Sequence, residues 1–289
     1  MTILVTGATG TVGRQVVEHL SARGANVRAL VRDPSKAHFP SSVSVVQGDL
    51  LDVDALRAAF EGVSTLFLLN AVVPDEFTQA LIALNLAREA GVERVVYLSV
   101  IHSDVYVNVP HFAGKFGVER MIGAMGFSAT ILRPAYFIDN DRTIKEAIFQ
   151  YGVYPMPIGS LGLAMIDTRD IAEIAALELI RRESADTLLP SETLNLVGPD
   201  TLTGSAIASI WSEVLGRPIA YGGDNPAGFE TNLRSFLPSW MAYDMRLMSE
   251  RFLSDGMRPE AGDAERLTTL LGRPLRSYRA FAAELAASA

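Results

Sequence analysis

The sequence predicts an α/β fold in which a doubly wound, parallel sheet is covered by helices on both faces. Three observations predict it: short β-branched runs alternate with longer amphipathic segments, the runs are almost entirely apolar, and 49% of the 289 residues are hydrophobic. Strands that alternate with helices pair in parallel through right-handed crossovers. Apolar runs are expected where helices cover both faces of a sheet.

Strands and helices alternate along the first half of the chain. β-Branched or apolar runs predict the strands Ile3–Val5, Val27–Val31, Val43–Val46, Leu66–Leu69, Val95–Leu98 and Ala129–Leu132. Amphipathic runs predict the helices Val12–Arg23, Asp52–Phe60, Glu76–Ala90 and His111–Met125. The aspartate that begins the second helix is a typical N-cap residue.

The alternation loosens after Pro134, and the C-terminal part is predicted to form a smaller α/β lobe. The pattern there indicates a helix over Asp170–Arg182, a strand over Thr193–Val197, a helix over Ile207–Leu215 that Gly216 ends, and a helical tail from Phe229. We therefore predict a first domain over residues 1–150 and the smaller lobe over residues 151–289. One helix and strand near residues 163–182 are expected to return to the first domain.

Composition and charge argue against several kinds of function. The formal net charge is −8 and no block of basic residues appears, so neither nucleic acid nor a membrane is expected as a partner. The chain has no cysteine, which excludes disulfides and thiolate metal sites. No metal site is predicted, because His102 and Asp104 have no third ligand nearby. We see no signal peptide or spanning segment, and we expect a cytoplasmic monomer or homodimer.

A glycine-rich turn, Gly7-Ala8-Thr9-Gly10-Thr11-Val12-Gly13, follows the first strand and opens the first helix. In such a turn the first glycine permits a tight bend, the second lets a diphosphate approach the backbone, and the third lets the helix sit close to the sheet. Free N–H groups at the helix start then hold the phosphates. The context predicts a Rossmann-type dinucleotide site; the alternative is a glycine turn without a ligand. The binding residues expected here are Gly7, Thr9, Gly10, Thr11, Val12 and Gly13.

The residues after the second strand indicate which dinucleotide binds. NAD-binding proteins usually place an acid about 20 residues beyond the glycine turn. Here Arg32 follows Val27–Val31, and its guanidinium suits a 2′-phosphate, with Lys36 adding charge one turn later. Asp33 would serve NAD instead if the strand were one residue longer. We therefore predict NADP(H) as the preferred cofactor and keep NAD(H) as the alternative.

Two further strand ends are expected to line the cofactor cleft. Asp49, followed by Leu50, comes after the third strand and is a candidate acceptor for the adenine amino group, although a capping aspartate is an equal alternative. Leu69, Asn70 and Ala71 end the fourth strand. In open parallel sheets, ligands bind beyond the carboxyl ends of the strands.

These motifs resemble the NmrA-like atypical short-chain dehydrogenase/reductases. The resemblance covers nearly the whole chain and rests on the glycine turn and on the segments Val31-Arg32-Asp33-Pro34, Gly48-Asp49-Leu50, His111-Phe112-Ala113-Gly114-Lys115, Leu132-Arg133-Pro134-Ala135, Leu196-Val197-Gly198-Pro199 and Leu215-Gly216-Arg217-Pro218. The resemblance implies that the C-terminal lobe binds substrate. It also implies that Lys115 holds the nicotinamide ribose, and that Pro134, Tyr136 and Phe137 pack against the nicotinamide.

The resemblance also shows a departure at the reactive end of the cleft. The wider superfamily places a proton-donating Tyr four residues before the Lys, and this chain has His111 there. His111 is a candidate proton donor because imidazole titrates near neutral pH. Ser99 is a candidate for polarising the substrate, and Tyr136 for replacing the missing phenol. The alternatives are a surface or capping histidine, a serine bonded to backbone, and an aromatic core residue.

The function that this resemblance implies is hydride transfer from NADPH to a quinone, an aromatic ketone or an enone. A quinone-like substrate is favoured because an electron-poor acceptor needs little proton assistance. One alternative is a redox sensor that binds NADP(H) without turnover. Another is a tailoring enzyme that acts on a polycyclic aromatic metabolite.

Overall fold

The computed structural model describes residues 1–288, which form two compact units. The first unit comprises residues 1–103, 114–133 and 169–194, and the second comprises residues 104–113, 134–168 and the chain from residue 195 onward. Residues 134–150 therefore group with the second unit, whereas the sequence pattern predicted a boundary at residue 150. That the C-terminal part binds substrate stays a prediction.

Nine strands form two sheets within the described residues. The strands are β1 (Ile3–Val5), β2 (Val27–Val31), β3 (Ser44–Gln47), β4 (Thr65–Leu68), β5 (Arg94–Leu98), β6 (Ser128–Pro134), β7 (Val153–Tyr154), β8 (Glu192–Leu196) and β9 (Ala220–Tyr221). Seven of them form one sheet in the order β3-β2-β1-β4-β5-β6-β8, and β7 pairs with β9. The first six strands of the large sheet pair in parallel, which confirms the predicted fold class.

The order of the strands places a crevice at the centre of the large sheet. The chain proceeds from β1 outward to β2 and β3, and then returns to β4 on the other side of β1. Leu4 of β1 pairs with Arg28 on one side and Leu66 on the other. Ligands of open α/β sheets bind outside the carboxyl ends of the strands at such a reversal. The segments that follow β1 and β4 are therefore the first place to look for a site.

Eleven α-helices connect and follow the strands in the described part of the chain. They are α1 (Thr11–Ala22), α2 (Val53–Ala59), α3 (Glu76–Glu89), α4 (Pro110–Ala124), α5 (Lys145–Phe149), α6 (Thr168–Glu183), α7 (Gly204–Leu215), α8 (Pro226–Leu233), α9 (Ser239–Ser254), α10 (Asp263–Leu271) and α11 (Tyr278–Ala287). Asp52 caps α2, because its side chain accepts the Ala55 N–H. Gly216 ends α7 in the left-handed conformation, with φ of 63°. Both signals were read correctly from the sequence.

Burial follows position in the large sheet. Every residue of β1 and β4 is buried, as expected for central strands covered on both faces. Strand β3 lies at the edge and is mostly exposed, so the expectation of a strand covered on both faces is wrong there. No helix within residues 1–288 combines the length and apolarity required to cross a bilayer.

Candidate functional site

The turn after β1 leaves backbone donors free at the start of α1. The Gly10 N–H donates to the Gly7 carbonyl at 3.0 Å, and the first hydrogen bond of the helix runs from the Arg14 N–H to the Gly10 carbonyl. No side chain caps the helix, and its first turn contains no acidic residue. The N–H groups of Thr11, Val12 and Gly13 therefore remain available at the positive end of the helix. This arrangement suits a diphosphate.

Two glycines of this turn are required by close packing. A Cβ on Gly13 would lie 2.2 Å from the Gly7 carbonyl oxygen, a distance too short for any Cβ contact. Gly7 has φ of 61°, and a Cβ there would lie 2.9 Å from Leu69 Cγ. The exposed Thr9 and Gly10 lie between them. The turn is thus held tightly between β1, β4 and α1.

The carboxyl ends of β2 and β3 form an open cleft of about 420 Å3. Its lining residues are Arg32, Gln47, Gly48, Asp49, Asp52 and Ala55. Arg32 is exposed, and its guanidinium forms no ion pair within residues 1–288. Gln47 donates from its side chain to the Arg32 carbonyl at 3.2 Å, which fixes the backbone beside the cleft. A guanidinium at this edge is the group expected to bind a 2′-phosphate.

Asp33 is engaged in local structure. Strand β2 ends at Val31, as predicted, and Asp33 caps a short 3-10 helix over Pro34–Lys36. Its carboxylate accepts hydrogen bonds from the hydroxyl and the backbone N–H of Ser35, which lower its pKa. Lys36 lies 3.9 Å from the same carboxylate and is well exposed. The condition under which Asp33 would serve NAD, a longer strand, is therefore not met.

Asp49 takes the role that was predicted as an alternative. Its Oδ1 accepts the Leu51 N–H at 2.9 Å, which is a turn of the kind aspartate often forms. Its carboxylate still lines the cleft, so a role toward adenine stays a prediction. Leu50 is half-buried beside it.

The end of β4 contains an unsatisfied polar side chain. Asn70 is 5% exposed, and neither its Oδ1 nor its Nδ2 has a hydrogen-bond partner. Buried amides in native proteins are nearly always paired, so an orphan requires a reason. The neighbouring Leu69 is paired, because its N–H donates to Thr6 Oγ1 at 2.8 Å. This bond joins the end of β4 to the end of β1. Ala71 is exposed.

Lys115 is buried rather than exposed on the surface of α4. It is 7% exposed, and its Nζ lies 2.5 Å from Glu76 Oε1. Glu76 itself is 6% exposed and belongs to the first turn of α3. An ammonium without a carboxylate partner would be costly at such a position. Glu76 was not predicted as a site residue, because an acid in the first turn of a helix is commonplace.

His111 is also paired with a carboxylate. Its ring Nδ1 hydrogen-bonds Asp244 Oδ1, and its backbone N–H donates to Asp244 Oδ2 at 3.0 Å. Asp244 lies on α9 and is 1% exposed. Asp244 was not predicted, since no local pattern connects residues so distant in sequence.

Ser99 does not bond to backbone through its side chain, and its hydroxyl is already committed. The hydroxyl donates to Glu119 Oε1, the atom that also accepts from Ser103 Oγ at 3.1 Å. Arg133 forms a two-point contact with the same carboxylate, at 3.0 and 2.6 Å. A serine whose only proton is donated to a carboxylate cannot donate it to a substrate. The proposed polarising role of Ser99 thus has no support from its partners.

Tyr136 is a poor candidate for the proton donor. Burial and then the nearby Asp141 carboxylate raise its pKa well above the usual range of a phenol. An active-site phenol requires the opposite shift. Tyr136 is instead built into the second unit, where its ring packs edge-on against Phe252 at 6.0 Å. Pro134 ends β6, and Phe137 precedes the 3-10 helix Ile138–Ile144.

The loop after β5 contains the one strained non-glycine residue of the described backbone. His102 has φ of 56°. No group of three or more His, Cys, Asp or Glu side chains within residues 1–288 is arranged to hold a metal. The unusual backbone at His102 therefore has no metal site to explain it.

Comparisons with known proteins agree in fold and chemistry. A model of the NmrA-like family matches residues 1–256. The chain is 29% identical to an NAD(P)H azoreductase of Xenophilus azovorans over 99% of this chain and 98% of that protein. It is 29% identical to quinone oxidoreductase 2 of Escherichia coli over 94% of each chain. The crystal structure of the Escherichia coli NADPH-dependent quinone oxidoreductase with NADPH matches with a TM-score of 0.87 and 26% identity, over 99% of both chains.

Proposed function

The chain belongs to the NmrA-like family, and we propose that it is an NADPH-dependent reductase of quinones or related aromatic acceptors. The observation that carries the proposal is the turn after β1. Its free N–H groups and its packed glycines leave a backbone cradle that side chains would fill. The names of the azoreductase and the quinone oxidoreductase support the reaction class.

NADP(H) fits the residues of the first unit. The amides of Thr11, Val12 and Gly13 would hold the diphosphate, and Arg32 would hold the 2′-phosphate with Lys36 as a second cation. Asn70 would gain partners for its unpaired amide. When bound, the reduced nicotinamide supplies the hydride.

Lys115 is proposed to orient the nicotinamide ribose. An ammonium has three donors, and the contact with Glu76 uses only one of them. The remaining two suit ribose hydroxyls. Glu76 offsets the charge of the buried ammonium, which would otherwise be costly.

His111 is the proposed proton donor, in place of the tyrosine of the wider superfamily. It lies one helical turn before Lys115 on α4, so both side chains project from the same face of that helix. The other candidates are weaker, because the Ser99 proton is held by Glu119 and the pKa of Tyr136 is raised. The cytoplasmic location and the oligomeric state stay predictions.

A turnover assay tests the proposal. The purified chain is mixed with NADPH and a panel of quinones, azo dyes, enones and aromatic ketones, and loss of the reduced nicotinamide absorbance is followed. We expect turnover with at least one electron-poor aromatic acceptor. Lys115→Ala should lower kcat/KM by about 100-fold, as loss of a positioning contact to the cofactor does. Lys145→Ala is the matched control, since Lys145 is exposed.

Binding without turnover would overturn this function. If NADPH binds tightly but no acceptor on the panel is reduced, the chain is a dinucleotide sensor. If Lys115→Ala and Lys145→Ala behave alike, the assignment of Lys115 is wrong.

A further inference from the structure

Asp244 holds His111 by two separate atoms. One carboxylate oxygen accepts the backbone N–H of His111 at 3.0 Å, and the other bonds the ring Nδ1. The backbone contact has a structural purpose. Helix α4 begins at Pro110, which has no N–H, so the His111 amide is the first donor of the helix that needs a partner. The ring contact is not needed for that purpose.

The ring contact determines which nitrogen of His111 is available for chemistry. A carboxylate only accepts hydrogen bonds, so Nδ1 must carry the proton that lies between the two groups. The second nitrogen, Nε2, has no hydrogen-bond partner within residues 1–288. The side chain is 10% exposed, whereas that of Asp244 is 1% exposed. The pair therefore consists of a shielded acid and a histidine whose second nitrogen has no hydrogen-bond partner among the described residues.

We propose that Asp244 is a positioning residue that orients His111 and keeps a proton on its Nδ1, so that Nε2 of the imidazolium is the nitrogen that protonates the reduced substrate. The proposal rests on the reductase function proposed above. It extends that function to a buried acid 133 residues away in sequence. Carboxylate-bound imidazoles of this kind act as acids and bases elsewhere because the carboxylate fixes the ring and stabilises the imidazolium.

The reaction balances with one proton from His111. For a quinone, the bound cofactor would supply a hydride, so that the acceptor would become a hydroquinone anion and NADPH would become NADP+. His111, as the imidazolium, gives up its Nε2 proton, which forms the O–H bond of the hydroquinone and leaves the neutral imidazole with its proton on Nδ1. The neutral imidazole then regains a proton from solvent, so quinone, NADPH and one proton give hydroquinone and NADP+.

Chemical rescue tests the role of His111. We expect His111→Ala to lower kcat by about 100-fold, within the usual contribution of general acid catalysis, with little change in the KM for NADPH. Added imidazole should restore a large part of kcat in a concentration-dependent way. His38→Ala, at an exposed position, is the matched control and should neither lose activity nor respond to imidazole. A kcat that stays lost at every imidazole concentration would contradict the role as donor.

A double-mutant cycle tests the role of Asp244. Asp244→Asn should lower kcat by about 10-fold or more, and the double variant with His111→Ala should be no slower than His111→Ala alone, because residues that act as a unit are non-additive. Losses that multiply would mean that Asp244 serves only to hold α9 against α4. Asp186→Asn is the matched exposed control. If Asp244→Asn does not fold, Asp244→Glu, which keeps a carboxylate, takes its place.

A spectroscopic readout needs no turnover. The chain has four histidines, so the ring nitrogens of a 15N-histidine sample can be assigned with His111→Ala. We expect a wild-type His111 that keeps its proton on Nδ1, and a changed ring pattern in Asp244→Asn. An unchanged pattern overturns the fixed tautomer. A wild-type protein that reduces no acceptor on the panel would overturn both the proposed reductase function and this inference. An active wild-type protein together with a fully active His111→Ala variant would overturn the inference alone.

Discussion

Asp141 provides a prediction about stability whose size follows from its surroundings. It is fully buried, and burial raises the pKa of its carboxyl from 3.8 to about 7. One oxygen accepts the Tyr278 hydroxyl at 2.5 Å, but the other has no partner, and neither has the nearby Tyr154 hydroxyl. The folded protein thus favours the neutral acid.

The direction of the pH effect follows from linkage. The folded protein binds this proton more tightly than the unfolded chain does, so stability decreases as the pH rises from about 4 to about 7 and is then constant. The interval between 3.8 and about 7 corresponds to about 4 kcal/mol. About 2 kcal/mol of this develops between pH values of about 5.5 and 8.

Asp141→Asn should remove this dependence. The amide oxygen can still accept the Tyr278 hydroxyl, the amide adds a donor near the Tyr154 hydroxyl, and the side chain does not titrate. We expect the free energy of unfolding of the variant to rise relative to wild type by about 2 kcal/mol between pH values of about 5.5 and 8. Urea unfolding, followed by circular dichroism, measures it, with Asp186→Asn as the exposed control. Parallel pH curves for wild type and Asp141→Asn would refute the reasoning.

Two substitutions in the first unit test the cofactor site. Gly13→Ala places a Cβ 2.2 Å from the Gly7 carbonyl oxygen, so the turn must shift. We expect the affinity for NADPH, measured by fluorescence titration, to fall by at least about 10-fold. A variant with wild-type affinity would contradict the proposed site. Arg32→Ala should weaken NADPH by about 1–3 kcal/mol and NADH much less. The exposed Arg279→Ala is its control, and equal losses for the two cofactors would contradict the assignment.

Local sequence patterns predicted the elements around the cofactor site well. The strands over Ile3–Val5 and Val27–Val31 have the predicted bounds, because a buried central strand is a plain apolar run between polar or glycine residues. The two-residue strands β7 and β9 were missed, since such short pairs leave no periodic pattern. The exposure of β3 was also missed. Being at an edge depends on strand order, which pattern alone does not fix.

The residues of the site were likewise predicted where the pattern is local and missed where it is not. The glycine turn could be read because all its requirements are local: a strand before it, a helix after it, and no side chain at two positions. The partners of Lys115 and His111 could not be predicted from the sequence. Glu76 reaches Lys115 across 39 residues, and Asp244 reaches His111 across 133. Only the folded structure places these carboxylates in contact with Lys115 and His111.

The departure from the superfamily at residue 111 therefore has to be judged together with its partner. Taken alone, a histidine in place of the tyrosine suggests a lost proton donor and favours a sensor. A surface histidine would also need no acid beside it, and burying the carboxylate of Asp244 is costly unless it is paired. The cap of α4 alone could be supplied by an exposed Ser, Thr or Asn at the helix start, without a buried charge. The two-atom contact between Asp244 and His111 thus favours a replaced acid over a lost one.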